Sequence, residues 1–143
     1  MAKADPDCIF CKIIAGGIPC ENVFENDSVL AFMDINPTSR GHVLVIPKDH
    51  YEDLRSTDAS ALADVTAVLP AIASAVVKAV GAEGFNVLQS NGACAGQVVP
   101  HIHFHIVPRV DGDGIGLGFR QRPPVEDELA TTAGAIRAAL QET

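Results

Sequence analysis

At 143 residues, with 48% hydrophobic and 20% charged side chains, the chain has the size and make-up of one soluble domain that can build a core without disulfides. A net charge of −8 excludes an electrostatic grip on nucleic acid or an anionic membrane, since both need clustered Lys and Arg; a small anionic ligand held by backbone amides stays open. No signal-peptide pattern opens the chain and no run approaches the ~18 uninterrupted apolar residues of a membrane span, so a cytoplasmic location is expected, with Cys8, Cys11, Cys20 and Cys94 as thiols.

In chain order, Ile9, Phe10, Ile13 and Ile14 recur at helical spacing between Asp7 and Gly16, which predicts a short helix. Val23-Phe24-Glu25 and the run from Ser28 to Met33, separated by Asn26-Asp27, predict a hairpin, and Asn36-Pro37 a turn. His42 to Ile46 is a β-prone strand closed by Pro47. Thr57 or Asp58 can cap a long helix to about Val80, along which Leu62, Val65, Leu69, Ile72, Val76 and Val80 step by three or four; Gly81 ends it. Pro70 inside that pattern predicts a kink or a missing backbone bond. Phe85 to Gln89 and Ile102 to Val107 read as two further strands joined by Ser90 to Pro100. A glycine-rich loop from Asp111 to Gly118 then leads to a final helix from about Val125 to Leu140. Strands with few helical crossovers predict an α+β domain: an antiparallel sheet covered on one side by the long helix.

The densest chemistry lies in His101-Ile-His103-Phe-His105-Ile-Val-Pro108, which holds three of the five histidines. Alternation has the period of a strand, so the three imidazoles share one face and Ile102, Phe104 and Ile106 the other. Such a row can bind a catalytic metal. It can equally supply a nucleophilic imidazole that carries a phosphoryl or nucleotidyl group, with neighbouring histidines on the phosphate oxygens. Upstream, Asn91, Gly92, Gly96 and Gln97 sit among small residues whose amides can approach a phosphate closely, although a plain turn-rich connection has the same composition. Cys8-x-x-Cys11 is either a pair of buried small hydrophobes or half of a tetrahedral zinc site that His50 and His101 could close. A thioredoxin-like role lacks the preceding strand that such a motif needs.

Gly96-Gln97-x-x-x-His101-x-His103-x-His105-Ile-Val-Pro-Arg109 resembles the histidine-triad (HIT) superfamily of nucleotide-binding hydrolases and transferases. The resemblance extends from about Cys8 to Arg109 through Cys8-Ile-Phe-Cys-Lys-Ile-Ile14, Phe32-Met-Asp-Ile-Asn-Pro37 and Gly41-His-Val-Leu-Val-Ile-Pro-Lys-Asp-His50, placing the chain near the Hint-like and bacterial branch with a Cys-x-x-Cys start. It implies one domain with a core of about 8–109 and a C-terminal loop and helix over 110–143. The implied fold is an antiparallel sheet of about five strands with helices on one side, paired across a two-fold axis into a homodimer with one continuous sheet.

By the same resemblance His103 is the nucleophile, its ring oriented by a backbone carbonyl that the motif does not identify. His105 and His42 surround the α-phosphate, with Gln97, Gly96 and Val98 beside it. Asn91 lies near ribose and phosphate, Asp34 accepts from the ribose hydroxyls, and Ile9, Phe10, Ile13, Ile18, Phe32 and Ile35 form the purine slot. Cys8, Cys11, His50 and His101 hold a structural zinc, and no catalytic metal is expected. The implied activity is cleavage of a purine nucleotide (AMP- or GMP-like) at the α-phosphate through a nucleotidyl-histidine; the alternative is a zinc-stabilised nucleotide-sensing dimer with weak catalysis. Val98 departs from the serine of Hint-like phosphoramidases, which moves the expectation from P–N bonds toward phosphoanhydrides such as dinucleoside polyphosphates.

Overall fold

The computed structural model describes residues 3–142. Its frame is a five-stranded, wholly antiparallel sheet with strand order β1-β2-β3-β5-β4. The strands are β1 (Asn22–Glu25), β2 (Val29–Met33), β3 (Val43–Pro47), β4 (Gly84–Gln89) and β5 (Phe104–Arg109). The β1–β2 hairpin turns where expected, because the Asn26 side-chain oxygen accepts from the amides of Ser28 and Val29.

β2 and β3, Val-Leu-Ala-Phe-Met and Val-Leu-Val-Ile-Pro, do not alternate because both of their faces are buried. On one face lies helix α2 (Ala59–Val80), whose Val65, Ile72, Ala73 and Val76 pack on Val29, Ala31, Val43, Val45 and Ile106. On the other face helix α1 (Ile9–Ile14) brings Cys8, Phe10 and Cys11 against Leu30, Phe32, Leu44 and Ile46. The helices are therefore not both on one side, as the resemblance implied; a doubly apolar strand pair needs cover on each face.

α2 has the predicted limits. Asp58 is its N-cap residue, and Gly81 ends it at φ +71°, a left-handed conformation that costs glycine little. The helix runs on through Pro70, which has no N–H for the carbonyl of Thr66. By length and composition α2 could cross a membrane; 22% of that stretch is buried, through the stripe that packs on the sheet.

Two element starts lie two or more residues from the sequence reading. β5 begins at Phe104 rather than Ile102, because its ladder with β3 starts at Phe104↔Val45, while the Ile102 amide is taken by the carbonyl of Tyr51. The last helix, α3, spans Glu128–Gln141 and starts after a left-handed Asp127, three residues later than predicted. It has no buried residue.

Candidate active site and metal centre

The first site is built on the start of α1. Cys8 is the N-cap residue and Cys11 lies three positions on, so both thiols face the same way. His50, beyond β3, and His101, ahead of β5, bring their Nδ1 atoms to them. Cys8 Sγ lies 3.4 Å and Cys11 Sγ 3.6 Å from His101 Nδ1, while His50 Nδ1 is 3.4 Å from Cys11 Sγ and 3.2 Å from His101 Nδ1. Around a tetrahedral zinc, with bonds of about 2.3 Å to sulfur and about 2.0 Å to nitrogen, those separations would be about 3.6 Å for S···N and about 3.3 Å for N···N. The four residues thus fit the ion implied for them.

The outer contacts agree with ligation. His101 Nε2–H donates to the Pro47 carbonyl at 2.9 Å, which leaves its Nδ1 bare, and the amides of Asp5 and Cys11 point at the two sulfurs. Burial pushes the Cys11 thiol up and lowers His101 to about 4, so the imidazole is neutral, as a ligand must be.

The second site adjoins the first. His103 Nδ1–H donates to the carbonyl of His101 at 2.7 Å, which supplies the orienting carbonyl and leaves Nε2 as the free nitrogen. Burial depresses the pKa of His103 and His42, and burial together with the neighbouring His103 and His42 takes His105 to about 4; all three rings are neutral at pH 7. His42 Nε2 lies 2.8 Å from His105 Nδ1 and 3.5 Å from Asp34 Oδ2, while His42 Nδ1 accepts from the amide of Thr38 at 3.0 Å.

His103 and His105 open on a cavity of about 410 Å³, while His42 stays behind them, outside its lining. Ile9, Phe10, Ile13, Ile18, Phe32, Asp34, Ile35, Gly96, Val98, His103 and His105, all named from the sequence, line it. Phe10 stands edge-on to His103 at 5.2 Å, and Ile35 and Val98 form an exposed apolar rim, 88% and 89% accessible.

Gln97 and Asn91 are not in the cavity lining, and their side chains bond within the protein. Gln97 Oε1 accepts from the Gly92 amide and its Nε2 donates to the carbonyls of Glu52 and Val99. Asn91 accepts from the Leu54 amide and exchanges bonds with Gln89. Their side chains hold the 90–100 loop to the segment after β3 and leave its backbone to face a ligand.

The sequence reading missed Pro19, Cys20, Met33, Asn36, Leu44 and Val99 in the lining. Leu44 was findable, two residues from His42 on the same strand face; the backbone partners at Thr38, Pro47 and His101 leave no side-chain signal. A second apolar groove of about 360 Å³, between α2 and the β1–β3 end of the sheet, contains no titratable group.

A histidine row beside a cavity, with a Cys2His2 group, on such a sheet defines the histidine-triad class of small α+β proteins. A HIT domain is matched over residues 15–112, and the chain belongs to the HIT family. It is 42% identical over 135 residues to the adenosine 5'-monophosphoramidase hnt1 of Schizosaccharomyces pombe, covering 94% of this chain and 98% of that one. It is 50% identical over 107 residues to the adenylylsulfatase HINT3 of Arabidopsis thaliana, covering 75% of this chain but only 54% of that longer protein. Among solved structures, a Streptococcus mutans protein superposes with a TM-score of 0.92 at 40% identity, covering 98% of this chain and 89% of that one. A Zn-bound histidine triad family protein from Mycobacterium smegmatis superposes at 0.73 with 38% identity, covering 90% and 97%.

Proposed function

We propose that the protein is a purine nucleotide hydrolase or transferase that cleaves at the α-phosphate through a covalent nucleotidyl-His103. The observation that carries this is the pairing of His103 Nδ1–H with the His101 carbonyl, which leaves a neutral, bare Nε2 at the cavity. The Nε2 lone pair attacks phosphorus in line, and the bond to the leaving group breaks with its electron pair going to that group. Water then attacks phosphorus, the Nε2–P bond returns its pair to Nε2, and the nucleoside monophosphate departs. Water's proton goes to solvent or to a basic leaving group. The carbonyl of His101 stabilises the charge that the ring acquires while it carries the nucleotide.

Asp34, which keeps Oδ2 at the cavity edge while Oδ1 accepts from the Asn36 amide, receives the ribose hydroxyls. The purine packs against Phe10, Phe32 and the isoleucines. Cys8, Cys11, His50 and His101 hold a structural zinc, which supplies a cross-link between α1, the segment after β3 and the histidine row.

Val98 at the rim offers no proton to a leaving amine, which favours phosphoanhydrides such as dinucleoside polyphosphates over phosphoramidates. The relatives named above, a monophosphoramidase and an adenylylsulfatase, support a nucleotide with a variable leaving group. A homodimer with a continuous sheet fits the free edge of β4, where Phe85 and Val87 are exposed. A cytoplasmic setting completes the reading.

Mass spectrometry of protein quenched during turnover of a phosphoramidate, a mixed anhydride and a dinucleotide should find one nucleotidyl group on His103. His103→Ala should bind nucleotide but not turn it over; normal turnover by that variant would refute the mechanism.

A further inference from the structure

Both ring nitrogens of His42 are occupied inside the protein. A backbone amide only donates, so the 3.0 Å contact from Thr38 N–H makes His42 Nδ1 the bare nitrogen and puts the proton of the neutral ring on Nε2. That Nε2–H stands 2.8 Å from His105 Nδ1, which must accept, so the proton of His105 sits on its own Nε2. His105 lines the cavity beside His103, their ring centres 4.9 Å apart.

We propose that the Thr38 amide and His42 form a tautomer lock that keeps His105 an Nε2–H donor toward the phosphate, making His42 a positioning residue rather than a phosphate ligand. This rests on the hydrolase reading for its catalytic consequence, though not for the lock itself. An unlocked His105 would divide between two neutral tautomers, and one of them would present a lone pair to an anionic oxygen.

The competing reading, a tetrahedral cation held by Asp34, His42 and His105, fails on distance. Two imidazole nitrogens on a tetrahedral ion stand about 3.3 Å apart. Here they stand at 2.8 Å, the span of one shared proton. Among the described residues Asp34 Oδ2, at 3.5 Å, is the carboxylate that faces His42, and it reinforces Nε2 as the protonated nitrogen.

Long-range 1H–15N spectra of the histidine rings at neutral pH test the lock directly. His105 should show a protonated Nε2 and a bare Nδ1 in the wild type. His42→Leu should mix the two forms and lower kcat by roughly 100-fold, within the range of single proton-handling residues, with KM nearly unchanged. His42→Gln, which restores an N–H at the reach of Nε2, should recover at least a tenth of the wild-type rate, about the return expected from one hydrogen bond. A wild-type His105 protonated on Nδ1 overturns the proposal, as does a His42→Leu protein that keeps both the tautomer and kcat, or one that raises KM alone. If the wild type turns over no nucleotide, the hydrolase reading fails while the wild-type spectrum still decides whether the lock exists.

Discussion

Replacing Phe10 by alanine tests the packing argument and the binding argument at once. The ring is 6% exposed, meets Phe32 edge-on at 5.4 Å, and touches the rings of His101 and His103 at 5.8 and 5.2 Å. Burial of this kind makes Phe→Ala cost about 3–5 kcal/mol. Because one side of Phe10 lines an open cavity, water can fill part of the space, and the low end, about 3 kcal/mol, is expected. For 143 residues the unfolding entropy is about 0.3 kcal/mol per degree, so the midpoint should fall by roughly 10 °C. Removing one wall of the purine slot should cost a further ~2 kcal/mol of binding, a roughly thirtyfold rise in nucleotide Kd. Thermal unfolding followed by circular dichroism gives the first number and calorimetric titration with a nucleoside monophosphate the second. A midpoint within about 2 °C of the wild type would refute the packing assignment; an unchanged Kd would remove Phe10 from the slot.

Gly41 is held at φ +94°, where a Cβ would stand 2.8 Å from Val80 Cγ1 and 3.2 Å from Pro108 Cγ, so Gly41→Ala should destabilise by about 2–4 kcal/mol in urea unfolding. Because His103 must be bare to attack and burial holds it below the usual histidine value, the acid limb of single-turnover rates should fall below pH 6.5; a limb at or above that value contradicts the assignment. The same depressed values mean that the unfolded chain binds more protons than the folded one, so stability should fall as pH drops from about 6.5 toward the His105 value of about 4. Cys11→Ser should abolish stoichiometric zinc, read by elemental analysis, and lower the unfolding midpoint. Val98→Ser should shift the ratio of phosphoramidate to anhydride kcat/KM upward by about tenfold, the weight of one added hydrogen bond.

What could be read from the sequence was what side chains encode by period and type. The α2 stripe, its Asp58 start and its Gly81 stop are a 3.6-residue pattern with its own punctuation, whereas Cys8-x-x-Cys11 read two ways until the family resemblance joined it to the distant His50 and His101, and the structure groups the four. The internal bonds of Gln97 and Asn91 were not legible, because an amide that holds a loop looks, as a letter, like an amide that holds a phosphate. Only the positions of Glu52, Leu54 and Gly92 tell the two apart. The placement of α1 was implicit in β3: five consecutive buried residues already call for cover on both faces.

His101 offers its ring and its backbone to different tasks: Nδ1 faces the thiols, Nε2 holds Pro47, and the carbonyl aims His103. A carbonyl belongs to every amino acid. In the proposed mechanism the contribution of position 101 to the nucleophile therefore survives a change of side chain, provided that the lead-in to β5 keeps its course, whereas position 103 should tolerate no such exchange. Under that mechanism three histidines that look alike in the sequence carry unequal mutational constraint, and drift at 101 would remove a metal ligand while leaving the chemistry proposed at 103 in place.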